Sequence, residues 1–275
     1  MNTDTAPAVP VFMDHAEWRL IVYIGTGRLA AYMARTGQPE AVPALVVEKQ
    51  WDVREESDQL RGVEEAVYSC PSLLDDFEAD IVLHTSTSVF VPTEALSQPG
   101  DASLLYAPIR ELSDEDIFEC AHGELSALCC PAKGLRSFLD RTFPGARVAP
   151  HLAVLENYMR RQTQRDGRLY VNIDEKSVDV LAFRGENLLC AASHEWHDPA
   201  DVVYYAFLTF AEAGFDGGDD AVIISGQGAG REEAAEMMRR HVDCVVDATL
   251  PRSADAPGLP LAVALLAARK TSKEQ

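Results

Sequence analysis

Basic residues are scarce in this chain: 24 Lys and Arg stand against 44 Asp and Glu, a formal charge of −20 over 275 residues. The carboxylates are spread along the whole length, so the surrounding field repels phosphate backbones and anionic lipid. Nucleic acid and anionic membrane surfaces are therefore poor direct partners. Long apolar runs are missing too, and the one markedly apolar stretch near a terminus, Leu259 to Ala268, is too short to span a bilayer. The first twenty residues mix Asp4, Pro10, Asp14 and Glu17 without a basic flank and apolar core, so no signal peptide is expected. Cys-x-x-Cys spacing is absent: Cys70, Cys120, Cys129, Cys130, Cys190 and Cys244 are irregularly placed in a chain too large to need disulfide staples. They read as small buried apolar side chains of a protein in a reducing, cytoplasmic setting. Neither Gly-x-Ser-x-Gly nor His-Glu-x-x-His occurs, so no common hydrolase signature is available.

What is present is an apolar fraction of 47%, ample for a real core, and a pattern that occurs twice. Residues Arg19 to Arg35 read as strand, Gly-containing turn and strand. Residues Arg168 to Arg184 superpose on them without a gap, with Arg19 on Arg168, Leu20 on Leu169, Val22 on Val171, Ile24 on Ile173 and Arg35 on Arg184 as identical pairs. Each copy continues into a third strand ending at a tryptophan, Trp51 or Trp196, then acidic residues, a helix and a fourth strand. These last two elements are expected near Glu56 to Tyr68 and Asp80 to Ser86 in the first half. In the second they are expected near Pro199 to Ala213 and Asp220 to Gly226. A duplicated α/β unit explains the shared order better than two hairpins alike by strand propensity alone.

Between the repeats the pattern is irregular. Pro92 to Asp101 reads as a loop with at most one helical turn, Ser113-x-x-Asp116 as the start of a helix, and Pro131 as a helix start. Leu135, Phe138 and Leu139 lie at helical spacing before Pro144-Gly145; Arg147 to His151 reads as a strand, and Leu152 to Gln162 as a helix. The polar segment before Gly167 divides the chain into residues 1–166 and 167–275.

The duplicated units, each opening with a hairpin, resemble the actin, sugar-kinase and heat-shock-chaperone ATPase superfamily, including pilus-assembly proteins of that fold. Val203-Tyr204-Tyr205 and Ala221-Val-Ile-Ile-Ser-Gly226 resemble an uncharacterised bacterial family of this fold, best known from Bacteroidetes. The resemblance implies two actin-like (ribonuclease H-like) units, with mixed sheets flanked by helices around a cleft that the hairpin turns face. It also implies an ATP site made of the two turns and one Gly-rich strand exit.

Carried onto this sequence, that site is degenerate. Where active members have Asp-x-Gly-Thr, the chain has Tyr23-Ile24-Gly25-Thr26-Gly27, and an aromatic ring cannot replace the hard oxygen ligand that magnesium takes. Where the second turn is glycine-rich, the chain has Asn172-Ile173-Asp174-Glu175-Lys176-Ser177, which crowds a phosphate and sets two carboxylates against it. Each close pair of like charges costs on the order of a kcal/mol or more at a protein surface. Only the third element, Ser225-Gly226-Gln227-Gly228-Ala229-Gly230, keeps its form, and a strand-to-helix turn wants glycine for backbone reasons alone. Gly25, Thr26, Gly27, Asn172, Asp174, Ser177, Gly226 and Gly228 are therefore the residues of a vestigial nucleotide cleft.

Two readings follow. In the first, the protein is a catalytically degenerate binding or scaffolding module for another cytoplasmic protein, with no catalytic residue, metal or cofactor. In the second, it is a divergent ATPase or kinase whose metal ligand has moved to Asp174 or Asp179, with ATP and magnesium as its cofactors. Three further clusters carry less. His194-Glu-Trp-His197-Asp198 has metal-ligand residue types at a strand end where the imidazoles need not converge. Cys129-Cys130 reads as a pair of core thiols. Glu111, Asp114, Glu115, Asp116 and Glu119 form an acidic run that reads as a solvated helix surface or a docking face for a basic partner.

Overall fold

A computed structural model describes residues 15–162 and 167–269. The chain separates into two compact units. The first holds residues 1–153, 251–256 and 262–275, and the second 154–250 and 257–261.

In the first unit, β1 (Trp18–Gly25), β2 (Arg28–Arg35) and β3 (Ala44–Gln50) form an antiparallel meander, followed by α1 (Glu56–Tyr68) and β4 (Glu78–Leu83). Next come β5 (Val89–Pro92), α2 (Asp101–Tyr106), β6 (Phe118–His122), β7 (Leu125–Cys129), α3 (Leu135–Thr142) and β8 (Arg147–Pro150). The main sheet runs β3-β2-β1-β4-β8, with β4 parallel to β1 and β8 parallel to β4. Strand β1 is central and buried on both faces from Arg19 onward, which is why Leu20 to Ile24 is an unbroken apolar run rather than an alternating one. Helix α1 lays Val63, Ala66 and Val67 on this sheet, and α3 adds Leu135, Phe138 and Leu139 from one stripe of its surface.

Helix α4 (His151–Arg160) contains the boundary between the units. The second unit repeats the plan. Strands β9 (Gly167–Ile173), β10 (Ser177–Arg184) and β11 (Asn187–Glu195) are followed by α5 (Pro199–Glu212), β12 (Ala221–Gly226), α6 (Ala229–Met238) and β13 (Cys244–Asp247). The sheet order is β11-β10-β9-β12-β13, with β12 parallel to β9 and β13 parallel to β12. Helix α7 (Leu261–Ala267) closes the described chain.

The repeat read from the sequence is a repeat of register. Trp18 pairs with Arg35 and Gly167 with Arg184, so the two hairpins correspond residue for residue. The Trp51 N–H donates to the Gly27 carbonyl at 2.8 Å, and the Trp196 N–H to the Lys176 carbonyl at 3.2 Å. The acidic residues after each tryptophan are helix caps. The Glu55 N–H donates to Asp58 Oδ2 at 2.9 Å and the Asp198 N–H to Asp201 Oδ2 at 3.1 Å, starting α1 and α5 with the same capping box.

The matched arginines are both buried, Arg19 at 5% exposure and Arg168 at 1%, and they use different partners. Arg19 pairs with Asp80 at 3.4 Å and donates to the Leu266 carbonyl at the end of α7. Arg168 donates to the Gln162 and Gly185 carbonyls, with its guanidinium over the Phe183 ring.

The structure corrects three expectations. Ser113-x-x-Asp116 opens no helix: residues 114–116 make one 3-10 turn into β6, because the carboxylates are drawn away to cap other segments. Asp114 accepts from the Gly100 and Ser103 amides at the start of α2, and Asp116 accepts from the Gly134 amide at the start of α3. Pro131 likewise starts no helix, since α3 begins at Leu135 after Gly134 in the left-handed region. The stretch read as irregular holds a three-stranded sheet, β5-β7-β6. Residues 1–14 and 163–166, which include most of the stretch on which no signal peptide was expected and the polar segment before Gly167, lie outside the described residues.

Candidate functional site

The first hairpin turn, Gly25-Thr26-Gly27, is held by a side chain from α1. Gln59, only 5% exposed, accepts from the Gly27 amide through Oε1 at 2.9 Å and donates from Nε2 to the Gly25 carbonyl at 2.9 Å. The backbone N–H that a phosphate oxygen would need is thus already bonded. Gly27 has φ +65°, and a Cβ there would lie 2.5 Å from the Trp51 carbonyl, so glycine is demanded by the turn itself.

Tyr23 is buried, with its ring 3.5 Å from where a Cβ on Gly25 would stand. Its ring lies 5.8 Å from His84, which follows β4, and the Arg28 guanidinium stands 5.8 Å above its centre. The His84 and His151 rings pack at 4.2 Å, and His151 Nδ1 accepts weakly from the Thr85 amide at 3.4 Å.

Beside the turn is a cavity of about 100 Å³ lined by Thr26, Val53, Glu56, Gln59, His84, Thr85 and Pro131. Clefts that hold drug-sized ligands are typically ~300–1,000 Å³. Its one carboxylate, Glu56, is paired with Arg110 and accepts from the Lys133 amide at 3.2 Å; the Arg110 hydrogen bond holds its pKa below the usual range. The cavity therefore suits a few waters rather than a nucleotide.

The matching turn of the second unit is closed by its own atoms. The Asp174 amide donates to the Ser177 carbonyl at 2.8 Å, Asp174 Oδ1 accepts from the Glu175 amide at 2.8 Å, and Trp196 Nε1 donates to the Asp174 carbonyl at 2.9 Å. Glu175 and Lys176 project into solvent. Behind the turn is a buried polar chain in which Ser225 Oγ donates to Asn172 Oδ1 at 3.0 Å and Asn172 Nδ2 donates to Asp179 Oδ2 at 3.0 Å. Ser177 is buried at the start of β10.

Gly226 has φ +104°, and a Cβ on it would meet the Ile173 carbonyl oxygen at 1.8 Å. The parallel pairing of β12 with β9 accounts for that glycine without any ligand. Gly228 has φ +102° with open space around its would-be Cβ, and it caps α6. Two of the three elements thus gather in the second unit, where Asn172 and Ser225 meet; Gly25, Thr26 and Gly27 sit in the first.

The remaining clusters resolve as follows. His194 stacks flat on Tyr205 at 4.0 Å, and burial lowers its pKa. The His197 amide donates to Asp201, its side chain being exposed. Cys129 and Cys130 are buried; desolvation pushes the Cys130 thiol up to about 11 and Cys129 higher still, so neither is a ready nucleophile. Gln59 was not legible as a site residue, because a side chain bonding a turn more than thirty residues away leaves no local pattern, and Glu56 and His84 come to line the cavity only through the fold.

The family model described as "Protein of unknown function (DUF3822)" matches residues 38–245. No curated protein matches the chain. Among solved structures, a Bacteroides thetaiotaomicron protein described as having an actin-like ATPase fold and unknown function superposes with a TM-score of 0.75 at 15% identity, covering 94% of this chain and 100% of that one. The PilM-PilN type IV pilus biogenesis complex gives 0.47 at 14% identity, covering 91% and 97%. The cytoplasmic domain of EpsL from the Vibrio cholerae type II secretion system gives 0.44 at 14%, covering 86% and 92%. The repeated β-meander, helix and parallel strands, together with a family match over most of the chain, lead to one assignment: the chain belongs to the DUF3822 family and has the actin-like ATPase fold.

Proposed function

We propose that this protein is a catalytically degenerate actin-like module that works by holding another protein and uses no ATP, magnesium or other cofactor. The observation that carries the reading is the Gln59 side chain bonded to both Gly25 and Gly27, in the turn where a phosphate would have to sit. A triphosphate oxygen displacing it would give up two hydrogen bonds and approach Glu56. In the second unit the same position presents Asp174 and Glu175 instead of bare glycine amides. Asp174 and Asp179, the carboxylates that a relocated metal would need, are bonded to the Glu175 amide and to Asn172.

A bacterial cytoplasmic setting is part of the proposal; it fits six cysteines that are all unpaired. No helix among the described residues is long and apolar enough to cross a membrane. Net charge of −20 favours a protein partner with basic character over nucleic acid or anionic lipid. The test is calorimetric titration with ATP and ADP in magnesium, beside a thermal-shift scan. Ligands that bind only the folded state raise its apparent stability by mass action, so binding of even modest affinity is visible at millimolar nucleotide. The proposal predicts neither heat nor shift. A magnesium-dependent response in both assays would establish the divergent ATPase or kinase instead.

A further inference from the structure

The outer face of α5 is apolar where a solvent-facing helix is normally polar. Ala200, Tyr204, Leu208 and Ala211 lie on one exposed stripe, with Tyr204 62% and Leu208 41% exposed, and half-buried Val203 and Phe207 border it. The molecule supplies its own control. Helix α1 occupies the corresponding place in the first unit and starts with the same capping box, so its residues align with those of α5 one for one. The matching exposed positions on α1 are Ser57, Arg61, Glu65 and Tyr68, which carry charge at the two central places. One fold position thus has an ordinary solvated surface in one unit and an apolar stripe in the other.

Charge says what covers it. From Glu195 to Arg240 there are ten carboxylates, three arginines and no lysine. Asp201 and Glu212 lie near the two ends of α5, and Glu232, Glu233 and Glu236 are exposed on α6, which packs beside it. A second copy of this chain would bring the same carboxylates against them, and an anionic lipid surface would be repelled. Apolar residues spaced three and four apart form a ridge that fits the groove of another helix.

We propose that the α5 face is a docking surface for an amphipathic helix whose apolar stripe is bordered by Lys and Arg. This rests on the reading of the protein as a binding module and names the chemistry of its partner.

The probe is a fluorescein-labelled synthetic helix of about 18 residues, long enough to be helical once docked, with Leu at i, i+3, i+4 and i+7 and Lys on the flanks. Two companions replace the Lys by Glu, or the Leu by Ser. Anisotropy titration of the full chain is expected to show saturable, salt-weakened binding of the first peptide alone. Tyr204→Glu combined with Leu208→Glu is expected to weaken it by about tenfold or more, an order of magnitude in Kd. Arg61→Ala with Glu65→Ala on α1 is expected to change nothing. Both pairs are solvent-exposed, and circular dichroism verifies that each variant is folded.

Absence of saturable binding, or equal binding to the Tyr204/Leu208 variant, overturns the proposal. A wild-type dimer in sedimentation that dissociates in that variant overturns the choice of occupant. Peptide failure with silent nucleotide titrations removes only this surface, whereas magnesium-dependent nucleotide binding removes the module reading whatever the peptide does.

Discussion

Replacing Gln59 by Leu keeps the size of the side chain and removes both of its hydrogen bonds to the first hairpin turn. The Gly25 carbonyl is buried, so losing its partner costs the desolvation of an unpaired acceptor, about 1–3 kcal/mol. The Gly27 amide is half-buried and can turn to water, so its loss is nearer the net value of a hydrogen bond, about 1 kcal/mol. Together the substitution should destabilise the first unit by roughly 3 kcal/mol, a fall of roughly 6–12 °C in Tm for a chain of this size. Urea unfolding followed by tryptophan fluorescence reads this through Trp51, whose backbone amide donates to the Gly27 carbonyl of the same turn. Gln59→Glu sharpens the test. The introduced carboxyl can donate to Gly25 only while protonated, so its folded pKa lies above the unfolded value near 4.3. Stability relative to the parent is then retained below about pH 4 and lost as pH rises through the folded pKa. If Gln59→Leu stays within about 0.5 kcal/mol of the parent, typical of a surface change, the clamp does not exist and the reasoning fails.

Other substitutions separate backbone demands from ligand demands. Gly226→Ala sets a Cβ against the Ile173 carbonyl and should cost about 4 kcal/mol or more, whereas Gly228→Ala meets open space and bears only its positive φ, about 1–2 kcal/mol; thermal denaturation of the two variants makes the comparison. Asp201→Ala removes the acceptor that starts α5. Backbone hydrogen bonds from His197 and Asp198 hold that carboxylate's pKa below its ordinary value. The variant should therefore be less stable than the parent at neutral pH, with the deficit vanishing as pH falls through the depressed pKa, which melting curves across pH 2–7 would follow. Cys129 and Cys130 should resist a thiol reagent at pH 8 until the protein is unfolded, and rapid modification of either in the folded state would contradict their burial.

Much of the architecture was legible because hairpins are contiguous in sequence. The matched residues from Arg19 to Arg35 and Arg168 to Arg184 have the same pairing register, and α1 spans the predicted Glu56 to Tyr68. The β5-β7-β6 sheet was not legible, since strands of four or five residues between Pro, Ser and Gly show too few alternations to register as strands. The helix expected at Ser113-x-x-Asp116 fails for a related reason: a carboxylate that accepts from a backbone amide 11 or 18 residues away, at the start of another helix, looks, in sequence, like any solvated charge. The altered turn residues Tyr23 and Asp174 to Lys176 could be seen directly, but the Gln59 clamp required the fold, because only packing brings α1 over the turn.

The most direct test of the central claim is a titration of isotopically labelled protein with magnesium and ATP, followed through the amide resonances of Gly25, Thr26, Gly27, Gly226 and Gly228. The account predicts that these resonances stay in place at millimolar nucleotide, and that the Gly27 amide exchanges slowly with solvent in the presence and absence of ATP because Gln59 holds it. Saturable, magnesium-dependent shifts at both Gly27 and Gly228 would contradict it and restore the protein to the nucleotide-binding members of its fold.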